Sequence, residues 1–424
     1  MQDPLSYLEG LKQSGINLNL GPVSRLVARL GHPQTRYKTI LIGGTNGKGS
    51  TAAIISSILM KEGMNVGLYT SPHLRDFRER IRVNGRMIPE DALCTLIDTV
   101  KAAVEEPVTY FEFTTVLAFQ YFCRCEVDIA VIEVGMGGRL DATNLVLPEV
   151  SVITNISMEH QEYLGNKLEL IAAEKGGIIK RGGICITAAQ GRTVIDVLEK
   201  ICIERGSSFY RAGRDIRIRR SVKGSFSYYG INKRYRGLRI SLLGNHQLKN
   251  AALALGVVDI MTGKGMNVHD SSVIEGIRDV TWDGRLELVS CNPKIIADGA
   301  HNPAGILSLC NALITDFSYD KLIVVFGVLR DKNYRSMLRS IALLADTIIL
   351  TMPKSERAVC LKDLLPVASL YHDKVEAMDN SAEALARAGS LAGMNDLVCI
   401  TGSLYLVGEI KENLESNLPK DRLL

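Results

Sequence analysis

Gly43-Gly44-Thr45-Asn46-Gly47-Lys48-Gly49-Ser50 is the stretch that decides the fold. It follows a short apolar run, Thr39-Ile-Leu-Ile42, and leads into a helix-compatible stretch from Ser50 to Lys61 that Gly63 stops. In a strand, glycine-rich turn and helix, backbone N–H groups converge on phosphate oxygens. The helix N-terminus adds its partial positive charge. Lys48 supplies a point charge for β- and γ-phosphates, and Ser50 or Thr51 a hydroxyl that can face magnesium. The run is not a standard Walker A loop: its first glycine is displaced, and Gly49 separates the lysine from the hydroxyl residue. The bland alternative is a glycine-rich turn with an incidental lysine. The flanking strand and helix favour phosphate binding.

Working outward, the pattern of strand, turn and helix repeats. Val66 to Tyr69 is a second short strand, and Pro89 to about Val104 reads as a helix with proline at its start. Phe111 to Cys125 reads as a largely buried helix. Val127 to Glu133 and Val150 to Asn155 read as buried strands. Short apolar runs alternating with helices predict an α/β fold with a mostly parallel sheet covered on both faces. Between about Phe209 and Leu243 the texture changes, and alternation such as Ser225-Phe-Ser-Tyr-Tyr229 predicts antiparallel strands. Asn245 to Met261 is Ala/Leu-rich and helical. Later strands are Ile295–Ala297, Leu322–Phe326, Thr347–Leu350 and Leu397–Ile400. A boundary near Trp282 therefore divides an ATP-binding domain, residues 1–282, from a smaller Rossmann-like α/β domain, residues 283–424.

Bulk properties narrow the class. The chain has 424 residues, 46% hydrophobic and 23% charged, enough to bury full cores without staples. A net charge of +4 and the absence of a dense Lys/Arg tract give no reason to expect nucleic acid. The basic stretch Arg211 to Arg220 reads as a solvated strand or loop. Nine scattered cysteines form neither a disulfide framework nor a zinc pattern, and reduced thiols in a cytoplasmic setting fit better. No apolar signal core opens the chain and no run reaches membrane-spanning length.

The phosphate turn is one of a set of segments that together resemble the folylpolyglutamate synthase and dihydrofolate synthase family, within the wider Mur ligase group. The others, in order, are Tyr69-Thr-Ser-Pro-His-Leu74, Arg78-Glu-Arg-Ile81, Asn84-Gly85, Phe111-Glu-Phe-Thr114, Glu133-Val-Gly-Met-Gly-Gly-Arg139, Asp141-Ala-Thr-Asn144, Glu174-Lys175, Gly244-Asn-His-Gln247, Gly284-Arg285 and Asp298-Gly-Ala-His-Asn-Pro303. The resemblance spans nearly the whole chain.

It implies an ATP- and Mg2+-dependent ligase that activates a folate or dihydropteroate carboxylate as an acyl phosphate and joins it to L-glutamate. The chain is expected to act as a monomer, without nucleic-acid or membrane partners. The resemblance implies that Thr45, Asn46, Gly47, Lys48, Gly49, Ser50 and Thr51 bind nucleotide phosphates, Asn245, His246 and Gln247 the adenine region, and Arg285 the phosphates. Asp298 contacts the nucleotide and His301 approaches its terminal phosphate. The metal ligands are Ser50, Ser71, Glu133, His160 and a carbamylated Lys175. Lys48, His160, Lys175 and His301 carry the chemistry. On residues alone, His160 is an isolated histidine, more often structural or exposed than a ligand, and Lys175 reads as a surface lysine near a helix C-terminus.

Three departures from the family pattern stand out: Glu159 where Asp usually precedes the histidine, Gly176 where Ala is usual, and Asp283 where Pro usually precedes Gly284. Dihydrofolate synthase alone is the nearest competing reading. A peptidoglycan-type Mur ligase is more remote, because no separate nucleotide-sugar domain is evident. A regulatory module without catalysis predicts damage at Lys48, Glu133, His160 or His301, and all are intact.

Overall fold

The computed structural model describes residues 4–221 and 224–417. The chain forms two compact units, Met1–Ser241 with Leu248–Val280, and Leu242–Gln247 with Thr281–Leu424. The long helix Asn245–Gly263 contributes its first three residues to the second unit and the rest to the first.

The first unit is built on an eight-stranded sheet. Its strands are β1 (Lys38–Gly43), β2 (Val66–Tyr69), β3 (Ile81–Val83), β4 (Arg86–Met87), β5 (Ile129–Glu133), β6 (Val150–Ile153), β7 (Ile184–Thr187) and β8 (Ser208–Arg211). The order is β4-β3-β2-β5-β1-β6-β7-β8. From β2 to β8 neighbours run parallel, and β3 and β4 add an antiparallel edge. β5 and β6 are buried at every position, as runs rich in Val and Ile must be when helices cover both faces. The register sets Ile42 against Glu133 and Gly43 against Ile153, so the carboxyl ends of β5, β1 and β6 lie side by side.

The helices follow their local signals. Helix Glu90–Ala103 has Pro89 at its N-cap. Helix Tyr110–Arg124 starts on a capping box in which Thr109 Oγ1 accepts from Glu112 N–H and the Glu112 carboxylate accepts from Thr109 N–H. Helix Lys48–Lys61 is buried from Gly49 to Leu59, and helix Asp270–Asp279 lies against it. There a Cβ on Gly276 would stand 2.5 Å from Ile58 Cα, so glycine is what permits the approach.

One sequence expectation needs correction. Residues from Phe209 do not begin the antiparallel region, because Ser208–Arg211 completes the parallel sheet beside β7. The antiparallel sheet is β9 (Arg217–Arg220), β10 (Phe226–Tyr229) and β11 (Arg234–Leu238). Phe226 and Tyr228 are buried, and Tyr228 Oη donates to Asp259 at 3.1 Å.

The second unit carries a six-stranded sheet of β12 (Glu287–Cys291), β13 (Lys294–Ala297), β14 (Leu322–Phe326), β15 (Thr347–Leu350), β16 (Val375–Ala377) and β17 (Leu397–Thr401). The order is β12-β13-β17-β14-β15-β16, parallel except for the β12 edge. β14 and β17 are fully buried. Among the described residues no helix is long and apolar enough to cross a membrane.

Candidate functional site

The turn after β1 is fixed by its own backbone. Gly44 has φ +131°, and a Cβ there would stand 2.0 Å from Thr154 Oγ1. Gly47 has φ +85°, and its Cβ would stand 2.4 Å from Asn250 Oδ1. Only glycine suits both positions. The residues just past β6 hold the turn: Thr45 N–H donates to the Asn155 carbonyl at 2.9 Å and Asn46 N–H to Asn155 Oδ1 at 2.8 Å. Thr154 Oγ1 donates to the Asn46 carbonyl at 2.7 Å. The helix begins at Lys48, and its first-turn N–H groups have no intrahelical acceptor. Lys48 Nζ donates to the Gly44 and Thr45 carbonyls at 3.1 Å each, which keeps its charge over the turn. This cradle suits an oligophosphate.

Two candidate metal ligands meet at the sheet edge. Glu133, at the end of β5, is buried, and its Oε2 accepts from Ser71 N–H at 3.2 Å. Ser50 is buried in the first turn of the helix. Thr51 Oγ1 is buried with no hydrogen-bond partner among the described residues. Among those residues no three His, Cys, Asp or Glu side chains converge as a closed metal cage. A hydroxyl and one carboxylate beside a phosphate cradle fit magnesium, which takes few protein ligands and completes its shell with phosphate oxygens and water.

Lys175 is not the surface lysine its place near a helix end implied. Its side chain is 2% exposed. Nζ donates to the Gly44 carbonyl at 2.9 Å and to Glu159 Oε1 at 2.6 Å. Burial lowers the Lys175 pKa, only partly offset by Glu159. For Glu159, burial opposes ionisation, but Lys175 and then Lys48 outweigh it and the pKa falls below the ordinary value. A carbamate on Lys175 would set a second negative charge against Glu159, which a bound cation would have to offset. The neighbouring Gly176 is accounted for by packing: a Cβ there would stand 2.5 Å from Ile201 Cδ1, so Ile201 fills the space of the usual methyl.

His160 lies at the surface, close enough for its charge to act on Glu159. It follows β6, takes a left-handed conformation (φ 44°) and is exposed.

In the second unit, Asp298 is occupied by its own backbone. Its Oδ2 accepts from Leu286 N–H and its Oδ1 from Ala300 N–H, both at 2.9 Å. It thereby ties the Gly284–Leu286 turn to the turn that carries His301. His301 Nδ1 lies 2.8 Å from the Gly299 carbonyl. Asn302 caps helix Pro303–Thr315 through Gly305 N–H at 2.8 Å. Arg285 Nη1 donates to the Gly284 carbonyl at 3.0 Å, and among the described residues Arg285 has no carboxylate partner. Asn245 Nδ2 lies 3.5 Å from Thr315 Oγ1, His246 is half-buried and Gln247 is fully buried.

Sequence reasoning missed the side chains that shape these turns: Thr154, Asn155, Asn250 and Glu287. Thr154 and Asn155 carried a usable signal, since they directly follow a parallel strand next to β1, where open α/β sheets gather their sites. Asn250 and Glu287 carried none.

Known proteins share this architecture. Residues 42–258 match the Mur ligase middle domain, and residues 284–404 match the family described as Mur ligase, glutamate ligase domain. The dihydrofolate synthase/folylpolyglutamate synthase of Bacillus subtilis is 34% identical over 98% of this chain and 99% of its own length. The Escherichia coli structure in complex with DHPP and ADP has a TM-score of 0.91 at 29% identity, covering 98% of each chain. A bifunctional folylpolyglutamate synthase/dihydrofolate synthase structure with Mn, AMPPNP and L-glutamate bound has a TM-score of 0.88 at 27% identity, also covering 98% of each.

Proposed function

Since the chain belongs to the folylpolyglutamate synthase/dihydrofolate synthase family of Mur ligases, we propose that it is an ATP-dependent ligase that adds L-glutamate both to dihydropteroate and to reduced folates. The observation that carries this reading is the cradle formed by Gly43–Ser50, with Lys48 over the turn and Glu133 at the adjoining strand end. The relatives' names support two acceptors: the Bacillus subtilis and Escherichia coli proteins, matched along nearly their full length, are named for both activities, while the Lacticaseibacillus casei relative is named for folylpolyglutamate synthase alone.

Phosphoryl transfer asks a protein chiefly for position and charge. The turn's backbone N–H groups and Lys48 hold the nucleotide phosphates and offset charge that develops on the transferred group. We assign Ser50, Ser71 and Glu133 to magnesium, with His160 and Lys175 as further candidates. Bound there, the metal neutralises phosphate charge as a Lewis acid. The substrate carboxylate attacks the γ-phosphorus, the bond to the β-phosphate oxygen breaks, and ADP leaves. The glutamate amine then attacks the acyl carbon, loses a proton, and expels inorganic phosphate. We assign Arg285 to the nucleotide phosphates, His301 to the terminal phosphate, and Asn245, His246 and Gln247 to the base. Asp298 acts by shaping the turns that bear Arg285 and His301.

The test is ADP release by the purified protein with ATP, magnesium and glutamate, comparing dihydropteroate with a reduced folate. Release with both acceptors is the expected result. Release with only one would restrict the activity to that acceptor, and release with neither would overturn the reading.

A further inference from the structure

Asp283 stands where the family usually has proline, so the turn at Gly284 and Arg285 lacks a covalent restraint on its backbone. That turn is nonetheless tightly bent. Gly284 has φ +67°, and Leu286, which is not glycine, has φ +47°, a conformation that persists only where surroundings impose it. The imposed contacts can be traced. Gly284 N–H donates to Glu287 Oε2 at 2.7 Å, and the Gly284 carbonyl accepts from Gly299 N–H at 2.8 Å. Leu286 N–H donates to Asp298. The other oxygen of Glu287, Oε1, lies 2.6 Å from Lys411 Nζ.

Lys411 comes from helix Leu404–Asn417, far away in sequence, and its side chain is only 9% exposed. Its Nζ also lies 3.4 Å from Asp283 Oδ2. One buried ammonium thus bridges the carboxylate before the turn and the carboxylate after it, and the second of these grips the turn's leading N–H. None of these three residues points to chemistry on its own. Arg285 is the residue they enclose, and a Cβ on Gly299 would stand 2.5 Å from its Nη1, so its guanidinium lies directly over the neighbouring backbone.

We propose that Lys411 is a positioning residue for nucleotide binding: through Glu287 and Asp283 it holds the Gly284–Leu286 turn in the shape that presents Arg285 to the nucleotide phosphates. Losing Lys411 leaves Glu287 and Asp283 as facing like charges, and the grip on Gly284 N–H loosens. The proposal rests on the assignment of Arg285 to the phosphates made above.

Steady-state kinetics of Lys411→Met, Lys411→Arg, Arg285→Ala and the Lys411→Met/Arg285→Ala double variant test it. Lys411→Met raises KM for ATP about tenfold and leaves KM for glutamate and for dihydropteroate within about twofold. Lys411→Arg, which keeps the charge, restores most of the ATP affinity. The double variant binds ATP no worse than Arg285→Ala alone, because both changes remove one function. Where Lys411→Met lowers the amount of folded protein, Lys411→Gln keeps a donor without the charge and shows a smaller rise in the same constant. Additive losses in the double variant, or an unchanged KM for ATP in Lys411→Met, overturn the proposal. An unchanged KM for ATP in Arg285→Ala overturns instead the assignment on which it rests, and the two failures are read from different proteins.

Discussion

Lys175 Nζ lies 2.6 Å from Glu159 Oε1 inside the first unit, and the same ammonium donates to the carbonyl of Gly44 in the phosphate turn. The pair therefore joins helix Leu168–Gly176 to the loop after β1 and to the segment after β6. Removing one member of a buried pair leaves the other uncompensated, which costs about 3–5 kcal/mol. Glu159 is 13% exposed, so the lower end applies: Glu159→Gln should lower unfolding stability by about 3 kcal/mol. Urea titration with an unchanged m-value checks this, and a loss under about 0.5 kcal/mol would mean that the pair is no anchor.

Lys48 and His160 should separate activity from stability. Lys48→Ala removes the charge above the phosphate turn, and ADP release should fall about 100-fold or more. His160 is exposed, so His160→Ala should shift stability by no more than about 0.5 kcal/mol. If His160 is a metal ligand, the same variant should show slower turnover and need more magnesium for half-maximal rate. An unchanged magnesium dependence would remove His160 from the ligand set.

The fold was legible wherever a short apolar run met a turn signal. β2, β14 and β15 fall where the sequence puts them, and β1 runs one residue further at each end, because strands covered on both faces show up as short apolar runs. Ser208–Arg211 was misread because an edge strand with one exposed residue and three half-buried ones resembles the antiparallel strands that follow it. The bland reading of Lys175 as a surface lysine failed for a different reason. Its burial depends on Glu159, sixteen residues earlier, and on Gly44, and no local window contains either partner. Motif order brought the candidate residues into view, but it carried nothing of Asn250 or Lys411, whose roles arise only once distant segments pack.

Gly44 gives a prediction from shape alone. Its φ of +131° is a region open to glycine, and a methyl group would meet both Thr154 Oγ1 and, at 2.9 Å, the Thr154 backbone nitrogen. A side chain can turn away, but backbone cannot. Gly44→Ala should cost about 1–3 kcal/mol and weaken ADP binding, read by thermal unfolding with and without ADP. Gly63 has φ +86° with nothing within 4 Å of a Cβ, so Gly63→Ala should cost less and leave the ADP-dependent shift intact. Equal losses of nucleotide response in both variants would contradict the shape argument.

His73 provides a pH test. Arg80 Nε donates to His73 Nδ1 at 2.8 Å, so that nitrogen must act as an acceptor and the ring must be neutral. Burial, then the charges of Arg80 and Lys12, with only Asp76 opposing them, push the His73 pKa down to about 3. Between that value and the ordinary value of 6.5, the unfolded chain binds a proton that the folded chain refuses, so stability rises with pH across this window and falls on acidification. At pH 5 the cost from this group is about 2 kcal/mol, and near pH 7.5 it vanishes. His73→Asn keeps an acceptor for Arg80 but cannot titrate. The native protein should therefore lose about 2 kcal/mol more than His73→Asn between pH 7.5 and 5 in paired urea titrations. Parallel curves for the two proteins would show that the ring is free to take up a proton in the folded state, and that the Arg80 contact does not hold it neutral.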